Sequence, residues 1–353
     1  MDLYELLDSS PDPIIADSFV ITNSKIKQYG EIVCSISGGS DSDIMLDICT
    51  KLDPEKKITY VWFDTGLEYQ ATKDHLKFLE NKYGIKIDVI KAVKPIPTTC
   101  RTIGQPFLSK QFSSYIESLQ KNNFEWEDKP LGYLLKKYCK TVPEEKAKKT
   151  PTHYFYYEGK YYRGCVKAIR WWCNDYKKDN GTMSKFNIGY YKYLKEYMIV
   201  NPPDFKISSK CCDYAKKKPV HEFLVNNKTE LNLYGVRKAE GGVRSTAYKN
   251  CFTANECGTD EYRPIFWYTN ESKKKYEDQY GVTHSACYDE YGLTRTGCAG
   301  CPFGRRFEEE LEIIERYEPK LFKAVNNIFG KSYEYTRGYY KFREECKARE
   351  VNL

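Results

Sequence analysis

A chain of 353 residues with 41% apolar content can bury one large core or two smaller ones, and no apolar run approaches the length that spans a bilayer. The acidic start, Met1-Asp2-Leu3-Tyr4-Glu5, has no apolar secretory stretch, so no membrane partner is expected and the expected compartment is cytoplasmic, with the fourteen cysteines held as reduced thiols or metal ligands. The net charge of +7 says nothing about nucleic acid by itself, but it is uneven: residues 101–205 hold 19 Lys and Arg against 11 Asp and Glu, a net +8, with 22 of the 54 aromatics. Such a segment suits either a phosphate-tracking, base-stacking surface or a Tyr- and Lys-rich packed domain.

Residues 1–16 read as an irregular lead-in and 17–29 as a helix. Glu31 to Ile36 forms an apolar strand pattern. Ser37-Gly38-Gly39-Ser40-Asp41-Ser42 follows, and Asp43 to Leu52 has a helical apolar side. A strand, a glycine turn and a helix start form a layout that cradles phosphate, because free N–H groups and the helix dipole both face the turn. Lys57 to Phe63 reads as a buried strand ending in Asp64-Thr65-Gly66. Tyr69 to Tyr83 reads as a helix with Gly84 as its C-cap, and Ile85 to Val93 as a third strand.

This alternation predicts an α/β fold with a doubly wound parallel sheet, whose ligands sit at the carboxyl ends of the strands. Residues 94–205 break the alternation and read as a mainly helical insertion, with helices at 109–121, 131–138 and 190–198. The pattern resumes at Glu230 to Arg237. Pro264 to Trp267 reads as a short strand, and Glu308 to Phe329 as one long amphipathic helix. The expected domains are therefore 1–100 with 206–340, and an inserted 101–205.

Three constellations carry chemistry. Asp64, with Thr65 and Gly66, can order a nucleotide or a Mg²⁺, or can simply cap the next helix. Gly235-Val236-Arg237 through Gly241-Gly242-Val243-Arg244 places two arginines beyond a strand, where bidentate contact with phosphate or sulfate is natural. Cys211-Cys212 and Cys298-Ala299-Gly300-Cys301 are a vicinal pair and a CxxC turn, which sets two sulfurs on one centre.

Ser-Gly-Gly-x-Asp-Ser followed by Asp-Thr-Gly and Gly-x-Arg resembles the PP-loop of the ATP pyrophosphatases and of the phosphoadenosine-phosphosulfate (PAPS) reductase family. The resemblance implies a Rossmann-like HUP/PP-loop fold. It implies that Ser37, Gly38, Gly39, Ser40, Asp41, Ser42, Asp64, Thr65, Gly66, Arg237 and Arg244 contact an adenine nucleotide, with Asp41, Asp64 and Arg237 as catalytic groups. Gly241 stands where the family usually has Ser.

The cysteine spacing resembles the iron–sulfur signature of adenylylsulfate (APS) reductases, which implies a [4Fe–4S] cluster on Cys211, Cys212, Cys298 and Cys301. Structural zinc is the alternative. The segments Pro106 to Lys110 and Ile169 to Asn174 resemble a bacterial and phage branch of the family that includes DNA phosphorothioation sulfurtransferases.

The leading expectation is an ATP- and Mg²⁺-using enzyme that adenylates an acceptor, with DNA or tRNA as a candidate partner and a cysteine desulfurase as a candidate sulfur donor. Those sulfurtransferases usually carry Lys where Ser40 stands, so pyrophosphate must find another cation. A PAPS or APS reductase is the second reading, but the reductase tail Glu-Cys-Gly-x-His is reduced here to Glu345-Cys346. The third is a nucleotide-binding subunit of a defence or modification complex.

Overall fold

The computed structural model describes residues 2–150, 153–178, 181–182, 184–241, 247–256, 258–304 and 306–351. It divides into two compact units. The first comprises Met1–Pro97, Cys212–Gly300 and Glu308–Ala324; the second comprises Thr98–Cys211, Cys301–Phe307 and Val325–Leu353. Among the described residues, no helix is long and apolar enough to cross a membrane.

In chain order the strands are β1 (Ile32–Ile36), β2 (Ile58–Asp64), β3 (Ile87–Lys91), β4 (Lys140–Val142), β5 (Phe155–Tyr157), β6 (Lys160–Arg163), β7 (Leu231–Tyr234), β8 (Phe252–Thr253) and β9 (Asp260–Tyr262). The first unit holds a sheet of order β3-β2-β1-β7-β9-β8, parallel except for the edge strand β8. The chain steps outward from β1 to β2 and β3, then returns on the other side of β1 at β7. That reversal makes the carboxyl ends of β1 and β7 the topological switch point of an α/β doubly wound fold.

Four helices precede β3. They are α1 (Leu3–Asp8), α2 (Pro13–Gln28), α3 (Ser40–Leu52) and α4 (Gln70–Tyr83). The lead-in is more ordered than the sequence suggests. Asp2 and Glu5 form a capping box at α1, and Asp12 caps α2 by accepting the Ile14 N–H at 2.8 Å, with Pro13 at the first helical position. Gly84 ends α4 at φ +58, as expected. The core gathers Ile15 and Phe19 from α2, Cys34 and Ile36 from β1, Ile44 and Ile48 from α3, and Leu231 and Leu233 from β7.

Two local expectations in this unit are corrected. The strand beside β7 is Asp260–Tyr262, and Pro264 to Trp267 forms turns instead. The helix expected over 308–329 is two helices, Phe307–Tyr317 and Pro319–Val351. Pro319 lacks the N–H that a continuous helix would need, and its ring would strike the preceding turn, so the chain breaks at Glu318.

The second unit has its own core. The helices α5 (Ile96–Thr102), α6 (Lys110–Lys121), α7 (Leu131–Tyr138), α8 (Glu144–Lys149), α9 (Val166–Trp172) and α10 (Leu194–Val200) run through this part of the chain. Trp171 and Trp172 are fully buried among Phe107, Phe112, Leu134 and Met198. The insertion is not purely helical, because β4-β6-β5 form an antiparallel sheet. Its hairpin turns through Glu158 at φ +44 and Gly159 at φ +77, the double positive-φ turn that suits strand twist. Tyr339 completes this core, with Tyr335, Tyr340 and Phe342 packed against it, so the end of the chain joins the second unit. Much of the insertion's aromatic content thus packs inward, while Tyr133, Tyr156, Phe186 and Tyr190 remain exposed.

Candidate nucleotide and thiol site

The turn after β1 is built for close approach. Gly38 sits at φ +68, and a Cβ there would lie 2.7 Å from Thr72 Cγ2. Neither the conformation nor the space admits a side chain. The Ser37 N–H donates to Ser42 Oγ at 3.0 Å and closes the turn. Gly39 is the N-cap of α3 and offers no side chain to it. The first N–H groups of this helix therefore face the turn without a side-chain cap, in the arrangement that receives anions. Hydroxyls ring the position: a Cβ on Gly39 would meet Ser37 Oγ, Tyr288 OH and Thr296 Oγ1, each at 3.3 Å.

The end of β7 comes close to this helix start. A Cβ on Gly235 would lie 2.9 Å from the Asp41 carbonyl oxygen, so glycine is what lets the two backbones meet. Two residues on, Arg237 is buried and donates from Nε to Asp41 Oδ1 at 2.9 Å and from Nη1 to Asn270 Oδ1 at 3.0 Å.

A second cation arrives from the helix Asn270–Tyr280. Lys273 Nζ lies 3.0 Å from the same Asp41 oxygen and donates to Ser40 Oγ at 2.5 Å. Burial alone would raise the Asp41 carboxyl. Lys273 and Arg237 outweigh it and hold the group below the ordinary carboxylate range. Asp41 is thus an anchor for two cations beside the turn. Lys273 was not legible in the sequence, where it is the first of three consecutive lysines.

Two residues further into α3, Asp43 is fully buried between two histidines. His284 Nδ1 is 2.9 Å from Oδ2, and His75 Nε2 is 3.1 Å from Oδ1, the latter without hydrogen-bond alignment. His284 Nε2 lies 2.8 Å from Glu277. Burial would lower the His284 pKa, but hydrogen bonds to Asp43 and Glu277 prevail and push it up to about 9.

At the end of β2, Asp64 Oδ1 accepts the Gly66 N–H at 2.8 Å, and Gly66 takes φ +79. Thr65 is buried and donates to Glu68 Oε1 at 2.5 Å. Thr65 also hydrogen-bonds the Cys298 thiol. Burial raises that thiol, while the Lys216 ammonium and the Thr65 hydroxyl oppose the rise. Burial likewise raises Glu68, against Lys216 and Thr65.

Lys216 would be lowered by burial, but Cys298 and Glu68 hold its pKa above normal, with Cys212 also contributing. Lys216 lies on a π-helical turn, Asp213–Lys217, between α11 (Lys210–Cys212) and α12 (Lys218–Asn226). Pro219 explains the turn, because its ring and missing N–H forbid the normal helical bond four residues back. The π turn packs against β2, and Lys216 faces Cys298 and Glu68.

Cys212 and Cys298 therefore share one neighbourhood in the first unit, and Ala299 N–H anchors the CxxC turn on the Leu67 carbonyl at 3.0 Å. Cys211 and Cys301 belong to the second unit. Among the described residues, no group of three or more His, Cys, Asp or Glu side chains is arranged to hold a metal ion. The donor chemistry still suits a thiolate-bound centre, since a buried ammonium compensates the charge that Cys212 and Cys298 would bring to it. Asp64, with one oxygen outside the turn, fits a Mg²⁺ that takes most of its ligands from phosphate and water. Arg244 lies outside the described residues. Cys346 lies in the second unit, near the C-terminal end of a 33-residue helix.

A glycine turn leading into an uncapped helix at the switch point of a parallel sheet defines an α/β domain of the PP-loop class. Residues 31–152 match the phosphoadenosine phosphosulfate reductase domain.

Among solved structures, the chain is similar to phosphoadenylyl-sulfate reductase from Candida auris in a phosphate complex, at 11% identity and TM-score 0.40, over 80% of this chain and 87% of that one. It is also similar to the U34-tRNA thiolase NcsA from Methanococcus maripaludis with its [4Fe-4S] cluster, at 11% identity and TM-score 0.34, over 93% and 80%. At these scores neither likeness carries an argument about chemistry. No curated protein matches the chain.

Proposed function

We propose that the first unit binds ATP through its phosphates and adenylates an acceptor for sulfur transfer, releasing pyrophosphate. The observation that carries this reading is the uncapped start of α3 with two cations, Lys273 and Arg237, held beside it on Asp41. Lys273 supplies the positive charge that Ser40 does not.

In this reading Ser37 to Ser42 cradle the phosphate chain, and Asp64, Thr65 and Gly66 order the nucleotide with Mg²⁺ held at Asp64. An acceptor oxygen attacks the α-phosphorus, the bond to the bridging oxygen breaks, and pyrophosphate leaves. The N–H groups of α3, Arg237 and Lys273 stabilise the charge that develops on the leaving group. Arg244 is assigned to the same nucleotide.

Cys211, Cys212, Cys298 and Cys301 would hold a [4Fe–4S] cluster, which when bound supplies an iron that can carry sulfur. Lys216 and Thr65 hold Cys298 in place within the first unit. A polynucleotide acceptor and a cysteine desulfurase donor belong to this reading.

The reductase reading is favoured by the matched domain itself, whose description is that of PAPS reductase. The test is a parallel anaerobic titration with ATP–Mg²⁺, APS and PAPS, followed by assay for AMP and pyrophosphate with DNA or tRNA present. Tight ATP binding with AMP release supports adenylation. PAPS or APS binding with sulfite release, and no ATP binding, overturns it.

A further inference from the structure

We propose that Cys139 and Cys165, in the second unit, form a redox-active dithiol that closes to a disulfide by exchange with small disulfides of the glutathione class. Their sulfurs lie 3.7 Å apart. Cys139 is the C-cap of α7 and immediately precedes β4, while Cys165 is the N-cap of α9 and follows β6 by two residues. Strands β4 and β6 are antiparallel neighbours with Lys140 opposite Arg163, so the pair sits at one end of that ladder.

The residue between β6 and Cys165 is Gly164, at φ +110, with no atom within 4 Å of where its Cβ would be. That residue folds Cys165 back toward Cys139 and leaves room for backbone adjustment. The sulfurs then need to close to about 2.0 Å.

The two thiols are not equivalent. Cys165 is buried, whereas Cys139 is partly exposed and reachable by a small reagent. The hydrogen bond from Cys139 favours the thiolate at Cys165 and disfavours it at Cys139. Cys173, the next thiol along α9, has its pKa pushed up by burial to about 11 and faces the Lys129 carbonyl instead.

The chemistry balances without any further reactant. Cys139, the thiol the reagent can reach, passes its proton along the hydrogen bond to Cys165 as its sulfur attacks one sulfur of R–S–S–R, forming Cys139–S–S–R and releasing one R–S⁻. Cys165 gives its proton to the released R–S⁻ and, as thiolate, attacks the Cys139 sulfur, forming the internal disulfide and releasing the second R–S⁻. The two thiol protons end on two R–SH, and the two electrons lost by the protein dithiol reduce the reagent.

The test uses the full chain, purified anaerobically. It is equilibrated with oxidised and reduced glutathione over a range of ratios, quenched in acid, alkylated and peptide-mapped. The expected result is a peptide joining Cys139 to Cys165 that rises with the oxidised fraction and is reversed by dithiothreitol. Cys165→Ser is expected to accumulate a glutathione adduct at Cys139, and Cys139→Ser to yield neither product. Alkylation of both thiols at every ratio, or pairing of Cys165 with Cys173, would overturn the proposal. The wild-type map decides the matter even if a variant fails to fold.

Discussion

Replacing Lys273 by Met separates a phosphate-binding role from a structural one. The Lys273 side chain is 17% exposed and its ammonium lies 3.0 Å from Asp41 and 2.5 Å from Ser40, so it stands at the mouth of the glycine turn and is only partly screened. Two unit charges about 4 Å apart interact by about 4 kcal/mol at an effective dielectric of 20, and desolvation and the competing Asp41 charge offset part of this. A charge-assisted contact to phosphate is then worth about 1.5–3 kcal/mol, or roughly 10- to 150-fold in affinity.

Met keeps the aliphatic stem, so packing along the helix Asn270–Tyr280 should survive. Calorimetric titration is expected to show ATP–Mg²⁺ binding weakened by that factor and adenosine binding unchanged. Lys273→Arg should recover most of the loss, and the salt dependence of ATP binding should flatten in the Met variant. Unchanged ATP affinity in a folded Met variant would refute the role given to Lys273. Equal losses for ATP and adenosine would show that the residue acts only through the fold.

Gly38→Ala is expected to lose about 1–3 kcal/mol of stability, from its positive φ and from the Thr72 methyl group, and to lose ATP binding. Adding Thr72→Ser, which removes that methyl, should restore part of the stability in thermal melts, and no restoration would refute the steric account. His284 has its folded pKa raised to about 9 against an unfolded value near 6.5, so its contribution is complete below pH 6.5 and is lost as pH rises through 9. With partial exposure this is worth on the order of 2 kcal/mol, and His284→Gln should flatten the urea midpoint between pH 6 and 9.5; an unaltered slope would contradict it. Cys298→Ser should lower bound iron in anaerobically prepared protein, and full iron content would remove Cys298 from the ligand set. Cys346→Ser should leave turnover intact, whereas loss of sulfite release would revive the reductase reading.

The order strand, glycine turn, helix, strand, Asp-Thr-Gly was readable because each part obeys local rules. Apolar runs make buried parallel strands, and glycine marks the turn that needs positive φ. The match of residues 31–152 to the phosphoadenosine phosphosulfate reductase domain covers the same residues. What escaped the sequence was whatever depends on distant partners. Lys273 looks like Lys274 and Lys275, and only the direction of a helix separates them. Asp43 reads as a helix-start acid, yet it meets His284 some 240 residues later. Lys216 is hidden in a lysine run whose π turn is set by Pro219. The strand placed at Pro264 to Trp267 failed because three apolar residues there serve turns, while Asp260-Glu261-Tyr262 forms a strand with little apolar signal. The hairpin over Phe155 to Arg163 was missed because the adjacent pairs Tyr156-Tyr157 and Tyr161-Tyr162 obscure its period.

The connection between β3 and β7 has a consequence for how the chain is made. Ile32 pairs with Ile58 on one side and with Leu231 on the other, so the second neighbour of β1 is about 200 residues away. At roughly 5–20 residues per second, a ribosome finishes β7 about 10–40 s after β1. Throughout that interval a strand of Ile, Val and Cys presents an open edge that can pair with another nascent chain. The second unit emerges entire during the wait except for its last segments. Synthesis rate and chaperone supply, more than final stability, should therefore govern the yield of native protein, with aggregation expected where β1 is left unpaired longest.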